Sequence, residues 1–242
     1  MESRINYEAL ASDYARYRSL HPGLLRQLIE HAGIESRMRV VEVGSGTGNY
    51  LIAIHEATGC HAAGVEPSPA MIDKARAHSS AIAWLPGSAE ELPLKNQAAD
   101  FIFSVDVIHH VTDREAFFRE SRRALAPGGL ICTATDSPSD LLRRRPLSNY
   151  FPKTVAEELK RYPSIETLRA EMETAGFTNL VETHVELEYP LTDITAYRKR
   201  AYSSLQLIPE DALLSGVRKL EADLLMGPVA ALSLYTLLWG TA

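Results

Sequence analysis

The sequence predicts an α/β fold in which a mostly parallel sheet carries helices on both faces, and three features carry that prediction. Short apolar runs alternate with segments of helical periodicity from Arg39 to Thr135, and such alternation closes as a parallel sheet. The run Phe101 to Val105 is apolar on both faces, as a central strand covered from either side must be. The stretch VVEVGSGTGNY, Val40 to Tyr50, passes from an apolar run through three alternating glycines into a helix-compatible segment. That is a strand, a tight turn and a helix start.

In chain order, residues 5 to 18 place Ile5, Tyr7, Leu10, Tyr14 and Tyr17 at helical spacings before the break His21-Pro22-Gly23, which predicts a short aromatic helix. Leu24, Leu25, Leu28 and Ile29 give one apolar helix face, ended by Gly33. The first strand is Arg39 to Val43, followed by a helix over Asn49 to Ala57. The second is His61 to Glu66, and its helix opens after Pro67-Ser68-Pro69, where proline suits the first turn. Ile82 to Leu85, Phe101 to Val105 and Leu130 to Thr135 supply three more strands, the last reached through a helix from Asp113 to Leu125 and the turn Pro127-Gly128-Gly129. Residues 136–162 then interrupt the rhythm with Pro138, Pro146 and Pro152, three consecutive arginines and Tyr150-Phe151, as an inserted loop or cap does. A helix from Ile165 to Ala175 feeds a strand from Leu180 to Leu187, and residues 193–225 form a second, helical insertion. Pro228 to Trp239 reads as a buried strand, since Ser233 and Thr236 interrupt it and it falls short of the ~20 residues that span a bilayer. With no internal repeat, residues 1–242 read as one domain with cap insertions at 136–162 and 193–225.

A length of 242 residues, 45% of them hydrophobic, fills one large core. The formal charge of −6 supplies no general basic field for nucleic acid or anionic lipid, so a small-molecule substrate is expected, with no nucleic-acid or membrane partner and a monomeric or homodimeric state. Cys60 and Cys132 stand isolated in apolar runs and read as buried free thiols of a reducing compartment. The N-terminus MESRINYEALASDY has no apolar secretory signal, which predicts a cytoplasmic protein.

The glycine stretch selects its ligand by spacing and charge. A dinucleotide fingerprint needs glycine where this chain has Asn49. Glu42 in the preceding strand repels a pyrophosphate and suits an ammonium group. Glu66, at the end of the next strand, is placed to accept hydrogen bonds from both hydroxyls of a ribose. The ligand implied has a ribose and a positive charge, and no phosphate.

The segments EVGSGTG, GVEPSPAMI, GSAEELPL, FIFSVDVIHHV and LAPGGLI stand in this order between about Tyr14 and Thr135, and together they resemble the class I S-adenosylmethionine-dependent methyltransferases of the UbiE-like small-molecule group. The resemblance implies a Rossmann-like, seven-stranded, mostly parallel sheet with one antiparallel strand, helical cap insertions, and S-adenosyl-L-methionine as cofactor. It implies cofactor contacts at Glu42, Gly44, Ser45, Gly46, Gly48, Glu66, Pro67, Met71, Ser88, Ala89, Glu90, Ser104, Val105 and Asp106. YARYRSLHP resembles the family's opening segment, although Ala15 and Ser19 depart from it. There Tyr14 and Arg18 line the cofactor's mouth within a lid of residues 1–23, or the tyrosines pack their helix down and Arg18 is solvated. Ser88 stands where family members often carry aspartate; it binds the adenine amine more weakly, or belongs to an ordinary polar turn. Asp106 is an acid at the cofactor edge or the N-cap of the following turn.

His109 and His110 follow the fourth strand at its carboxyl end, the edge where open sheets bind ligands. A similar histidine pair occurs in relatives that methylate hydroxyl groups, where it is implicated as a base. One of the two neighbours is expected to face the cleft, with His109 taken as the base; the alternative is that both cap or pack. Tyr7, Tyr150, Arg198 and Tyr202 are the candidate substrate contacts, Arg198 meeting a carboxylate or solvent. No acidic cluster or cysteine group points to a metal. The expected activity is methylation of a small molecule at oxygen, with nitrogen or carbon acceptors, or a non-catalytic cofactor-binding subunit or sensor, as alternatives. At 100 times its dissociation constant, S-adenosylmethionine should stabilise the protein by ~2.7 kcal/mol and raise its melting temperature, while NAD should not. An equal thermal shift with NAD would overturn the cofactor assignment.

Overall fold

The structure, a computed structural model, describes residues 20–242. Tyr7, Tyr14 and Arg18, and with them most of the expected 1–23 lid, lie outside the described residues. The first described helix, α1 (Pro22–Ala32), begins where His21 Nδ1 accepts the Leu24 N–H at 3.0 Å, and it ends at Gly33 in a left-handed conformation. Strand β1 (Arg39–Val43) leads into α2 (Asn49–Thr58), and β2 (His61–Glu66) into α3 (Pro69–His78), whose N-cap is Ser68. β3 (Ala83–Pro86) and β4 (Ala99–Val105) follow, then α4 (Arg114–Ala124), capped by Asp113. The chain continues through β5 (Leu125–Thr135), α5 (Pro138–Arg143), α6 (Leu147–Tyr150), α7 (Pro152–Glu158), α8 (Ile165–Thr174) and β6 (Thr178–Leu191). The last elements are α9 (Thr195–Arg198), α10 (Ser203–Gln206), α11 (Glu210–Leu224) and β7 (Val229–Thr241).

The seven strands form one sheet in the order β3-β2-β1-β4-β5-β7-β6. Pairing is parallel from β3 to β5, and β7 runs antiparallel to both β5 and β6. This is the expected Rossmann-like arrangement with one reversed strand.

Strand parity divides the core. Val40, Phe101, Phe103 and Trp239 pack with Leu24, Leu28, Leu51 and Ile72 of α1 to α3, while Val41, Val43, Ile102 and Leu238 pack with Phe117, Phe118, Leu168 and Met172 of α4 and α8. A third cluster joins Phe151, Tyr197, Leu205, Leu213 and Leu220 to the outer ends of β6 and β7 through Leu191 and Ala231.

Among the boundaries that differ from the sequence expectation, two have identifiable reasons. β5 begins at Leu125, because Pro127-Gly128-Gly129 is accommodated as a register shift against β4 instead of a separate turn. β6 runs on to Leu191 because it is an edge strand with one exposed face, so polar residues extend it where apolar character alone does not mark a strand.

Gly48 shows how closely the first crossover packs. Its φ is +83°, and an added Cβ would lie 2.3 Å from Trp84 Cη2. Gly48→Ala is therefore expected to cost about 1 to 3 kcal/mol through overpacking and backbone strain, read as a lowered urea midpoint. An unchanged midpoint would leave Gly48 without this structural role.

Candidate active site

The carboxyl ends of β1, β2 and β4 build the site. After Val43 the chain turns through Gly44, Gly46 and Gly48, all at positive φ, and Gly44 and Ser45 donate their N–H groups to the Val65 carbonyl at 2.8 and 3.1 Å. Only glycine fits at 44, where an added Cβ would stand 2.4 Å from Val107 Cγ2. Glu66 ties two turns together: its Oε2 accepts the Gly46 N–H at 2.9 Å and its Oε1 the Ser68 N–H at 3.0 Å. Burial raises the Glu66 pKa, and the two N–H groups oppose that shift. Glu42 is 3% exposed, and its Oε2 accepts the Leu51 N–H at 3.2 Å. It thus caps α2 from a neighbouring strand, where Gly48 has no side chain to do so. Burial first, and Glu66 in addition, drive the Glu42 pKa well above its ordinary value.

Three adjoining spaces lie at this edge, and the two acids line the smaller two. A cleft of about 180 Å³ is lined by Gly44, Gly46, Glu66, Pro67 and Met71 on one side, and by Ser88, Ala89, Glu90, Val105, Asp106, His110 and Val111 on the other. A recess of about 50 Å³ lies over the glycine turn, with Glu42, Ser45, Asn49, Tyr50 and Tyr235 in its walls. A larger cavity of about 280 Å³ opens between the sheet edge and the helices of the two insertions, bounded by Asp106, His109, His110 and Tyr235 on one side and by Arg144, Glu158, Tyr197 and Tyr202 on the other.

The cleft's chemistry fits an adenosine. Met71, Ala89 and Val111 give apolar walls for a base, and each Glu66 oxygen, holding one N–H, retains a lone pair for a ribose hydroxyl. The buried acids fit a cationic ligand and disfavour a phosphate.

Several expectations change here. Ser104 does not line the cleft: parity sets it on the Ile102 face, where its hydroxyl bonds Thr133 Oγ1 at 3.0 Å inside the sheet. Gly48 lines none of the three spaces and packs on Trp84. Tyr150 and Arg198 do not line the large cavity. Tyr150 donates to Asp223 at 2.5 Å, and Arg198 pairs with Glu221 at 2.7 Å, both on the outer side of α11. Tyr202 does line the cavity. Both histidines reach it, because the single 3-10 turn Ile108–His110 places their rings side by side with centroids 4.0 Å apart. Asp106 is not the N-cap of that turn: the N-cap position is Val107, without a side-chain cap. Asp106 instead accepts the Tyr235 hydroxyl at 2.9 Å.

Tyr235, Tyr162, Tyr189, Asp136 and Arg144 line the large cavity without having been foreseen. Ser233 and Tyr235, two apart in a mostly apolar strand, share one face and mark it as a polar-facing position. Arg144 carried no such sign; it is held by Asp136 at 2.8 Å and by Glu158, which only the fold brings together.

The profile described as a methyltransferase domain matches residues 14–182, well over half of the chain. The chain belongs to the methyltransferase domain family. This enzyme is an S-adenosylmethionine-dependent methyltransferase. It is 28% identical over 176 residues to the ubiquinone/menaquinone biosynthesis C-methyltransferase UbiE of Rubrivivax gelatinosus, covering 64% of this chain and 68% of that one. It is 30% identical over 142 residues to a malonyl-[acyl-carrier protein] O-methyltransferase of Erwinia pyrifoliae, covering 56% of this chain and 54% of that one. The biotin biosynthesis bifunctional protein BioHC of Cellvibrio japonicus is 28% identical over 88% of this chain, which spans only 43% of that longer protein. Among solved structures, a methyltransferase from an antibiotic biosynthesis pathway of Anabaena variabilis superposes with a TM-score of 0.71 at 22% identity, covering 90% of this chain and 96% of that one. That likeness shows the shared fold.

Among the described residues of the methyltransferase, no group of three or more His, Cys, Asp or Glu side chains is arranged to hold a metal ion, and no helix is long and apolar enough to cross a membrane.

The buried Glu42 makes a pH prediction. Its folded pKa lies above the unfolded value of 4.5, so the carboxylate begins to cost stability as the pH rises past the unfolded value, reaches its full cost above the folded one and costs nothing well below both. Glu42→Gln, which keeps an acceptor for Leu51, should raise the urea midpoint of the ligand-free enzyme at about pH 8 and leave it unchanged at about pH 4. A difference that does not vary with pH would show that the charge is not its cause.

Proposed function

We propose that this methyltransferase methylates an oxygen of a small polar acceptor held in the large cavity, with His109 as general base. The observation that carries the proposal is the junction of spaces: Asp106 and His110 border both the cleft that fits the cofactor and the large cavity, so a molecule in one lies against a molecule in the other. S-adenosylmethionine supplies a methyl group already activated on a sulfonium. The chain's task is to align an acceptor with it and to remove the acceptor's proton.

The choice between the histidines follows from their tautomers. Arg161 Nη2 lies 3.3 Å from His110 Nδ1, and a guanidinium only donates, so His110 Nδ1 accepts and the neutral ring carries its proton on Nε2. His110 then presents a donor. His109 stacks on Tyr162 with centroids 4.0 Å apart, and its Nδ1 is buried. In this reading the His109 imidazole takes the acceptor's proton as the oxygen attacks the methyl carbon and the carbon–sulfur electron pair returns to sulfur.

Tyrosine hydroxyls, serines and the Arg144 network favour a small, oxygen-rich acceptor over a long apolar one. In this reading the helical insertions 136–162 and 193–225 form the cap that sets acceptor specificity, with Tyr202 as a substrate contact. Glu42 receives the cofactor's ammonium group, while Glu66 binds the ribose and Ser88 with Ala89 the adenine. The methyl donor's methionine end occupies the recess at Ser45 and Gly46.

The test is turnover with labelled methyl donor across phenols, hydroxy acids and amines. His109→Ala should lower turnover on the accepted hydroxyl substrate by ~10² to 10⁴ with cofactor affinity unchanged, because general-base help appears in the transition state. The wild-type rate should fall toward acid pH as a histidine base is protonated, and that dependence should vanish in the variant. Retained rate and pH profile in His109→Ala would refute the base. Acceptance of amines alone would replace the oxygen assignment, and no transfer to any acceptor would favour a cofactor-binding subunit.

A further inference from the structure

Tyr235 stands where the recess over the glycine turn meets the large cavity, and it borders both. Asp106 borders the large cavity and the adenosine-sized cleft. The two are joined by the Tyr235 hydroxyl donating to Asp106 Oδ2 at 2.9 Å. One hydrogen-bonded pair therefore touches all three spaces, at the place where a methyl group would pass from donor to acceptor.

Both members are held firmly. Asp106 has φ +56°, a conformation that a non-glycine residue keeps only when its surroundings impose it. Its N–H donates to the Ala134 carbonyl at 3.0 Å. The Tyr235 ring meets the buried His21 ring edge-on at 5.6 Å. His21 is fixed in turn by capping α1 and by its backbone N–H, which donates to the Tyr50 hydroxyl at 3.1 Å.

The chemistry of the pair suits a sulfonium better than either residue alone. A carboxylate set directly on the positive sulfur would stabilise the reactant more than the transition state, where that charge is disappearing, and would slow the transfer. A phenol whose proton is committed to a carboxylate carries extra electron density on its oxygen. Its lone pairs, turned from Asp106, can receive the electron-poor C–H bonds of a methyl group on sulfur as weak hydrogen bonds. We infer that Tyr235 is a positioning residue for the sulfonium methyl group, with Asp106 fixing and polarising its phenol. The inference rests on S-adenosylmethionine occupying the cleft.

The experiment needs no methyl acceptor. S-adenosylmethionine and S-adenosylhomocysteine differ by the methyl group and its charge, so calorimetry of both on wild type and on Tyr235→Phe isolates what the phenol oxygen contributes to that difference. Removing a contact of this kind should raise the ratio of the two dissociation constants, methionine form over homocysteine form, by about 2- to 5-fold. The proton resonance of a ¹³C-labelled methyl group on the bound donor should move upfield in the variant. A structural role would weaken both ligands by one factor and leave the ratio alone, which would overturn the inference while sparing the cofactor assignment. Failure of both nucleosides to bind the wild type would overturn the two together. Should Tyr235→Phe not fold, as judged by thermal unfolding, Asp106→Asn serves in its place, since asparagine tolerates the left-handed backbone. It should shift the ratio in the same direction, and an unchanged ratio there would equally refute the pairing.

Discussion

Two buried carboxylates at one sheet edge, Glu42 and Glu66, are the constraint around which this enzyme is arranged. Each is held by backbone N–H groups: Glu66 by Gly46 and Ser68, Glu42 by Leu51. Glu66 thereby fixes the turn after β1 against the turn after β2, and Glu42 supplies the cap that Gly48 cannot give α2. These bonds offset part of the cost of burying charge, yet both acids remain displaced upward by burial, and Glu42 is displaced further by its neighbour. The edge is thus held in a state that an incoming cation relieves. Under the proposed function, stability given up in burying Glu42 is recovered when a cationic group binds beside it, the exchange expected where function and stability conflict.

That arrangement also explains what could be read from the sequence. The glycine turn, Glu66, Pro67, Met71 and the Ser88-Ala89-Glu90 segment are contiguous stretches at strand ends, and an open parallel sheet brings such ends to one edge. Local sequence therefore sufficed to bring these residues to the walls of one cleft. It failed one residue along, at Ser104, because a side chain's face depends on strand parity and on the helices chosen to cover each face. Gly48 is a related case: its lack of a side chain answers to Trp84, a contact between crossovers that spacing within the glycine run does not reveal.

The acceptor cavity was less legible because its walls come from segments distant in sequence. Tyr150 and Arg198 have the chemistry of substrate contacts, but acids on α11 claim them, Asp223 and Glu221 respectively. Arg144 is the converse case, an arginine in a run of three that the fold turns inward between Asp136 and Glu158 while Arg143 and Arg145 pair with Glu186 and Glu188 on the edge strand. Charge pattern alone does not separate the three. What separates them is which turn of the insertion faces the sheet edge, and that is settled by the packing of Phe151, Tyr197 and Leu205 in the small third core.

The reversal of β7 gives the site its last wall. Because β7 inserts antiparallel between β5 and β6, its early residues lie at the same edge as the late residues of β4 and β5, and Tyr235 comes beside Asp106 although 129 residues separate them. A parallel strand in that slot would present its final residues there instead. The cleft at Glu66 and Ser88 is assembled from the ends of β1 to β4, whereas the large cavity that meets it also takes a wall from the final strand. Long-range pairing of this kind forms late and at high entropic cost. In the proposed reading, binding of the cofactor and alignment of its methyl group depend on different parts of the chain, so a substitution in β7 disturbs the second and leaves the first intact.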